Sequence, residues 1–532
     1  MVIVLTDRAL THTIMVNQTR NGNGEALIRP MWSRKSFISI ISVALCGLMI
    51  FASACGRQAN VAAPEEEKPF TISIMSVLHT RHQPTDVVLR EVERMTNTKL
   101  DIRWVPGEIY YEKLNAAMAT GSLPMSVSTG SQLFYKELKD AVRHGKFWEI
   151  GPHLNKYDNL SRLDEKVMRN TAVDGKLYGL YQERPSSRQG IIYRKDWLDR
   201  LGMEPPETVD ELFEMLTAFA ERDPDGDGQR NTIGLAERND LVFGAFKTVA
   251  SYYGTPNNWG IRGGRVEPEF MFPGYMDAMK FMRSLRERGA VNPDFAVTSK
   301  IAQRKLFIEG VAGAYIGSLG DAGELAREAL KHDPEAKFGL LNRIEGPRGL
   351  GVWSIPGYGA AILFPKSAIP TESDLERVLT FYDSLMEPEI YHLLTYGIKD
   401  RHYTIVDGRA KIVADPETME IEVRPLTSLQ IGGPSTIDGL KVNGPDELSA
   451  HAEQLIDDNE RFLIDDPTVG LESKTYDEIG SRLQEIITDA TYRYMLGHID
   501  EAAFQDAVEE WRASGGERMI EEFTAQYRFS KP

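Results

Sequence analysis

An acidic loop at residues 223–231, with the sequence DPDGDGQRN, carries the side chains of this chain that are best spaced for chemistry. Three carboxylates at alternate positions can converge on one hard cation, and Gly228 at the sixth position permits the sharp turn that such a loop needs. The spacing matches the first nine positions of an EF-hand-like calcium loop. The predicted ligands are Asp223, Asp225, Asp227, Gln229 and Asn231.

The twelfth position of this loop is Gly234, so the bidentate acid of a complete calcium loop is missing. The alternative interpretation is a solvated acidic turn that follows a helix. Three convergent carboxylates without a counter-ion would repel one another, which favours the metal. We therefore expect a structural calcium ion here.

Signatures of catalysis are scarce. The two cysteines are Cys46 and Cys55, so a thiol nucleophile, a cysteine zinc site and an internal disulfide are excluded for the domain that follows them. There is no G-x-S-x-G elbow, no phosphate-binding G-x-x-x-x-G-K and no H-E-x-x-H. His79 and His82 are spaced like some metal pairs, but a surface or core role is favoured. A glycosidase that uses two paired carboxylates stays an open alternative, because acidic residues are plentiful in the chain.

Cys55 directly follows an apolar run over residues 37–54, which Arg34 and Lys35 precede. A basic segment, an apolar segment and small residues before a cysteine are typical of a bacterial lipoprotein signal, in which the cysteine is lipidated. The alternative is an uncleaved anchor helix. We interpret residues 1–54 as a spurious extension plus signal peptide, with the true start at Met31, and residues 55–69 as a flexible tether.

Composition indicates a soluble globular protein outside the signal, with 42% hydrophobic and 26% charged residues. The net charge of −17 argues against nucleic acid or an anionic lipid face as partners. It does not exclude a small anionic ligand, because a few local arginines are enough to bind one.

Strand and helix patterns alternate along the chain, which predicts parallel sheets with helices on their faces. The predicted strands are 70–77, 100–105, 125–129, 190–193, 311–316 and 359–364. The predicted helices are 85–95, 110–120, 195–201, 209–222, 276–288, 301–308, 375–385, 478–496 and 501–513, and the last is expected to stop at Gly515.

Several stretches resemble the extracellular solute-binding lipoproteins of ABC sugar importers, above all the large oligosaccharide-binding proteins and the alginate-binding proteins. The matching stretches are TNTKLDIRWVP, EKLNAAMATGSLP, VDGKLYGL, FIEGVAGAYIG, YGIKDRHY and the segment from Tyr193 to Leu235. The resemblance implies an α/β fold of two lobes with mainly parallel sheets, a multi-strand hinge, a helical C-terminal part and a bound calcium at the five loop residues. We assign residues 70–185 and 300–350 to the N-terminal lobe, and residues 186–299 and 351–532 to the C-terminal lobe.

A sugar in the cleft between the lobes would require aromatic platforms for its CH faces and fork-like polar groups for its hydroxyls. Aromatic and arginine side chains in irregular, glycine-rich segments are the candidates. The predicted ligand residues are Arg188, Trp259, Arg262, Trp353, Tyr358 and Tyr396.

The resemblance implies a monomeric receptor without enzyme activity on the outer face of the cell membrane. Its partners are an oligosaccharide, the permease subunits of an ABC transporter, and the membrane through the lipid on Cys55. Two other hypotheses stay open: a surface lipoprotein enzyme acting on polysaccharide, and a binder of peptide or another non-sugar solute on the same fold.

Overall fold

The computed structural model describes residues 69–80, 82–129, 135–442 and 446–530. The predicted extension, the signal peptide, Cys55 and the tether up to residue 68 lie outside the described residues. Within the described residues, none of the helices combines the length and the apolar character needed to cross a bilayer.

The strands are short, and most pair within two sheets. They are β1 (Phe70–Leu78), β2 (Thr98–Pro106), β3 (Ser126–Ser128), β4 (Ala172–Val173), β5 (Lys176–Leu177), β6 (Gly179–Glu183), β7 (Gln189–Arg194), β8 (Ile233–Ala236), β9 (Trp259–Arg262), β10 (Arg265–Pro268), β11 (Ala312–Ser318), β12 (Phe338–Leu341), β13 (Val352–Trp353), β14 (Tyr358–Leu363), β15 (Tyr403–Val406), β16 (Arg409–Ile412) and β17 (Leu463–Ile464).

Helices surround the sheets and dominate the C-terminal part. They are α1 (Asp86–Thr96), α2 (Tyr110–Thr120), α3 (Lys136–Arg143), α4 (Glu165–Asn170), α5 (Lys195–Arg200), α6 (Val209–Glu221), α7 (Ala245–Tyr252), α8 (Pro273–Glu287), α9 (Lys300–Ile308), α10 (Ala322–Ala329), α11 (Glu372–Leu385), α12 (Pro388–Tyr396), α13 (Pro416–Glu422), α14 (Glu447–Asn459), α15 (Lys474–Met495), α16 (Glu501–Trp511) and α17 (Glu517–Ser530).

The first sheet has the strand order β2-β1-β3-β14-β6. Strand β1 pairs in parallel with β2 and β3, as the alternating strand and helix patterns predict. Strand β14 comes much later in the chain and joins antiparallel to β3 and β6. Helices α1, α11 and α12 contribute buried side chains to one core cluster with this sheet.

The second sheet has the strand order β12-β7-β11-β8. Its central strand β7 is antiparallel to both neighbours, whereas β11 and β8 are parallel. Helices α6, α7, α8, α15, α16 and α17 pack into one large core cluster with this sheet. Helix α6 begins at a capping box in which Thr208 and Glu211 exchange hydrogen bonds, so the sequence itself marks its first turn.

Strand pairing crosses the predicted boundary between the lobes in two segments. Strands β11 and β12, within residues 300–350, pair in the second sheet with β7 and not in the first. Strand β14, within residues 351–532, pairs in the first sheet with β3 and β6. The reason is that the chain crosses between the sheets after β6 and again between β12 and β14. Local patterns predict a strand but not the sheet that it joins.

The C-terminal helices break where the sequence predicts. Helix α16 is followed by a kink at residues 512–516, in which the backbone of Gly515 is not helical, and α17 begins at Glu517. Gly515 has φ 130°, a value that glycine tolerates far better than other residues do. This kink lets α17 fold back onto β10 and α15 within the large core.

Candidate functional site

A cavity of about 400 Å³ lies between the two sheets, where the chain crosses from one to the other. It is bounded by Val77 and His79 at the carboxyl end of β1, by the crossing segment 184–188, and by residues 353–360. Ligands in open α/β folds bind outside the carboxyl ends of the strands, so this is the expected place for a ligand. Six side chains define its character: His79, Arg184, Arg188, Phe243, Trp353 and Tyr358.

Two arginines give this cavity its positive charge. Arg184 and Arg188 lie four positions apart in the crossing segment, and both side chains are exposed to the cavity. Across the residues that the structure describes, neither guanidinium has a carboxylate partner. Burial lowers the pKa of Arg184, and the charge of Arg188 lowers it further. Burial and the Arg184 charge also lower the pKa of His79.

Gly359 on β14 allows Arg184 to lie across the strand. A Cβ atom at this position would be 2.7 Å from Arg184 Nε, closer than packed atoms allow. Any side chain here would therefore displace the guanidinium from the cavity. The backbone N–H of Arg184 also donates to Gly357 O at 3.0 Å, which holds the crossing segment beside β14.

An aromatic pair forms the apolar wall of the cavity. Trp353 is 3% exposed, and its Nε1 donates to Thr248 Oγ1 at 3.1 Å, so its ring is fixed. Phe243 meets Trp353 edge to face at 5.6 Å between ring centroids and is itself 50% exposed. A large exposed ring at a cavity mouth can stack against the CH face of a sugar. Tyr358 is buried, with its hydroxyl donating to Asn170 O at 3.0 Å.

The loop that presents Phe243 is held by two acids, the partly exposed Asp240 and the buried Glu237. The backbone N–H of Phe243 donates to Asp240 Oδ1 at 2.9 Å. Glu237 is almost fully buried and accepts from the N–H of Ala245 at 2.8 Å, which fixes the start of α7. Burial raises the pKa of Glu237 to about 8.

Arg188, Trp353 and Tyr358, predicted from the sequence, all line this cavity. The other three predicted ligand residues lie elsewhere. Trp259 is 6% exposed and packs against Phe523 at 4.8 Å between centroids, so it belongs to the core around the C-terminal helices. Arg262 lies on the β9–β10 hairpin, where Glu267 pairs with it at 2.5 Å.

Tyr396 also lies outside the cavity, in a small core cluster with Tyr403, and its hydroxyl donates to Leu440 O at 2.6 Å. It precedes a stretch in which His402 is fully buried, with its Nδ1 accepting from the N–H of Ile398. His402 Nε2 lies 2.9 Å from Glu422, which also binds Arg401. These hydrogen bonds hold the stretch YGIKDRHY together as a compact unit, so we assign the network a structural role.

Sequence reasoning missed Arg184, His79 and Phe243 as members of the site. Arg184 carried a usable signal, because it shares the polar crossing RPSSR with Arg188. His79 and Phe243 carried none, since their elements meet only through the pairing of distant strands.

The acidic loop has the geometry of a cation cradle. The carboxylates of Asp223, Asp225 and Asp227 can each place an oxygen within 4.8 Å of the others. Asp223 accepts from the N–H groups of Gly226 and Gly228 at 2.9 and 3.0 Å, which bends the loop around it. Burial raises the pKa of Asp225, and the neighbouring carboxylates raise it further. A divalent cation would relieve this repulsion.

The amide side chains of the loop turn inward as well. Gln229 Nε2 and Asn231 Nδ2 lie 3.3 and 3.0 Å from Asp227 Oδ2, so both reach the carboxylate cluster. Gly234 explains the missing twelfth acid. A Cβ atom there would lie 2.0 Å from Leu216 O, because β8 packs directly on the backbone of α6. The donor set fits calcium with five protein residues and water in place of that acid.

A profile described as bacterial extracellular solute-binding protein matches residues 86–363. The polygalacturonan/rhamnogalacturonan-binding protein YtcQ of Bacillus subtilis (strain 168) is 40% identical over 498 residues, covering 92% of this chain and 98% of that protein. Lipoprotein LipO of the same organism is 31% identical over 504 residues, with 92% and 98% covered.

Among solved structures, the alginate-binding protein AlgQ2 without calcium ion superposes with a TM-score of 0.64 at 17% identity, covering 87% of this chain and 98% of that one. At this identity the likeness shows the fold. The profile match and the two relatives, which extend over nearly the whole chain, decide the family. The chain belongs to the bacterial extracellular solute-binding proteins.

Proposed function

We propose that this protein captures an acidic oligosaccharide in the cavity between its two sheets and delivers it to an ABC importer without chemical change. The observation that carries the proposal is the pair of guanidinium groups, Arg184 and Arg188, that face the cavity without a carboxylate partner among the described residues. In a chain of net charge −17, two such cations at one cavity favour an anionic ligand.

Uronic acids carry the two kinds of group that this cavity would recognise, a carboxylate and an apolar ring face. Their carboxylates can take the two-pronged hydrogen bonds that arginine offers, and their ring faces can stack on Phe243 beside Trp353. YtcQ, which its name describes as binding polygalacturonan and rhamnogalacturonan, supports a pectin-type ligand for this chain. The ligand residues that we propose are Arg184, Arg188, Phe243, Trp353 and Tyr358, with His79 beside them.

Anchoring and delivery follow from the same proposal. The lipid on Cys55 would hold the protein on the outer face of the cell membrane, which its likeness to a lipoprotein, LipO, supports. The lobes built on the two sheets would close around the ligand about the crossing segments 184–188 and 342–357, and the permease subunits of the importer would accept the closed monomer.

Calcium at the loop of residues 223–231 is part of the proposal as a structural ion. It would fasten the end of α6 to the start of β8, since Asp223 follows α6 and Asn231 precedes β8. None of the residues 223–231 is among those that line the cavity, so we assign the loop a role in stability and none in ligand contact.

The test is a binding panel by isothermal titration calorimetry with the purified protein. The panel compares di- to hexagalacturonate, rhamnogalacturonan fragments, their methyl-esterified counterparts, neutral oligosaccharides and peptides. We expect saturable binding of the acid forms, weaker binding of the esters, and recovery of the glycan at its original length. Binding of neutral sugars or peptides alone would refute the acidic-sugar proposal, and shortened glycan would favour the enzyme hypothesis.

A further inference from the structure

A second cluster of metal-ligating side chains lies outside the acidic loop. His153 belongs to the helical turn Gly151–Lys156, and Glu372 and Glu376 stand four positions apart on α11. That spacing places both carboxylates on one face of the helix. One imidazole nitrogen and one oxygen from each glutamate all lie within 4.8 Å of one another.

The histidine indicates that this cluster is more than a group of surface acids. His153 is 9% exposed, and its Nδ1 is buried without a hydrogen bond to any residue that the structure describes. The nitrogen lies 3.6 Å from Glu372 Oε1, beyond hydrogen-bond distance but directed at the carboxylate. Buried polar atoms without a partner are uncommon in folded proteins, so this one calls for a partner.

A lysine now supplies the only positive charge paired with the two glutamates in the described residues. Lys156 Nζ lies 2.6 Å from Glu376 and 3.8 Å from Glu372. Its side chain is 51% exposed and can swing into solvent. The ammonium ion thus offsets one of the two negative charges from the solvent side and leaves Nδ1 of His153 without a hydrogen bond in the described residues.

We propose that His153, Glu372 and Glu376 form a site for a divalent transition-metal ion, with Zn²⁺ the best match. Zinc binds both imidazole nitrogen, a borderline ligand, and carboxylate oxygen, whereas calcium and magnesium prefer oxygen donors throughout. Tetrahedral zinc needs ligand atoms about 3.3 Å apart, so modest rotation of the exposed glutamates closes the site. Water takes the fourth position.

The metal would join two elements that pack in the core of the first sheet. The turn 151–156 and α11 already share a core through Leu154 and Leu375. Zinc would fasten their exposed edge and stabilise this lobe, independently of the calcium loop and of the ligand cavity.

Competition with a chromophoric zinc chelator tests the site in chelator-stripped protein. We expect one zinc per chain with a dissociation constant of about 10 µM or tighter, and a rise in the melting temperature. Glu372→Gln and Glu376→Gln should each weaken zinc about tenfold or more, and both positions are exposed enough to fold normally. Lys156→Gln should tighten zinc, because it removes the competing ammonium.

Asp223→Asn is the matched control, since it alters the other acidic cluster. It should leave zinc affinity unchanged, and Co²⁺ should give the visible absorption of a four-coordinate site only when His153 is present. The proposal is overturned if both glutamine variants bind zinc like the wild type, if Asp223→Asn abolishes binding, or if binding is too weak to compete, which would indicate an adventitious ion only.

Discussion

Replacing the cavity arginines separates the proposed acidic ligand from every neutral alternative. Arg184→Gln and Arg188→Gln each remove one guanidinium that has no internal partner in the described residues, so no buried acid is left behind. A charge-assisted hydrogen bond contributes about 2 kcal/mol, so each variant should bind galacturonate oligosaccharide about 30-fold more weakly. If each arginine binds its own carboxylate, the double variant should lose about 1,000-fold. If both hold one carboxylate, the loss should be smaller.

The free energy of unfolding should not fall together with the binding affinity. Arg188 disfavours the charged form of Arg184 in the free protein, so removing either one should leave the free energy of unfolding unchanged or slightly higher. Weaker binding without weaker folding is the signature that we expect, and urea denaturation measures it.

Calorimetry at about 50 mM and about 300 mM NaCl provides the assay, because wild-type affinity should fall with salt and the double variant should be nearly insensitive. Arg262→Gln is the control: the sequence ranked it with Arg188, but it lies on the β9–β10 hairpin beside Glu267. It should bind like the wild type. The reasoning fails if the cavity variants stay within about threefold of the wild type, or if Arg262→Gln is equally impaired.

Four further outcomes follow from named contacts. Asp227→Asn should weaken calcium binding about tenfold by calorimetry, without a change in sugar affinity; an unchanged calcium titration would count against the loop. Gly234→Glu, which restores the twelfth acid, should destabilise the fold by several kcal/mol in urea because its Cβ meets backbone; a more stable, tighter calcium binder would contradict this. Glu422→Gln should lower the free energy of unfolding by about 2 kcal/mol, against less than about 0.5 kcal/mol for Glu420→Gln, whose side chain is partly exposed on the same helix. The pKa of Glu422 is lowered, chiefly by its hydrogen bond to the neighbouring arginine, so that difference should vanish as the pH falls through the folded value. The pKa of Glu237 is raised to about 8, so its contribution to stability is complete at low pH and is lost as the pH rises through about 8; Glu237→Gln should flatten this part of the pH profile of the unfolding midpoint.

Element type and position were readable in the sequence because they depend on local periodicity and capping. The strand predicted at 70–77 and the helices predicted at 110–120 and 209–222 match β1, α2 and α6 to within a residue. The acidic loop was equally local: its five candidate ligands lie within nine residues. In the structure its three carboxylates lie close together, and the two amide side chains contact Asp227.

Sheet membership and burial were decided by tertiary structure. No local pattern distinguishes β11 from β14, yet one joins the second sheet and the other the first. Trp259 and Tyr396 stand in glycine-rich or polar surroundings in the sequence, but distant helices and strands cover their rings. An exposed aromatic and a buried one look alike until the packing is known.

The sequence by itself determined the solute-binding fold, the spacing of the acidic loop and the presence of Arg188, because each depends on neighbouring residues. Only the tertiary structure placed His79, Arg184, Phe243 and Trp353 around one cavity, since the elements that carry them are brought together by two crossings between sheets. Side chains far apart in sequence meet according to strand order. Non-local hydrophobic packing sets that order, and short-range spacing in the sequence cannot set it.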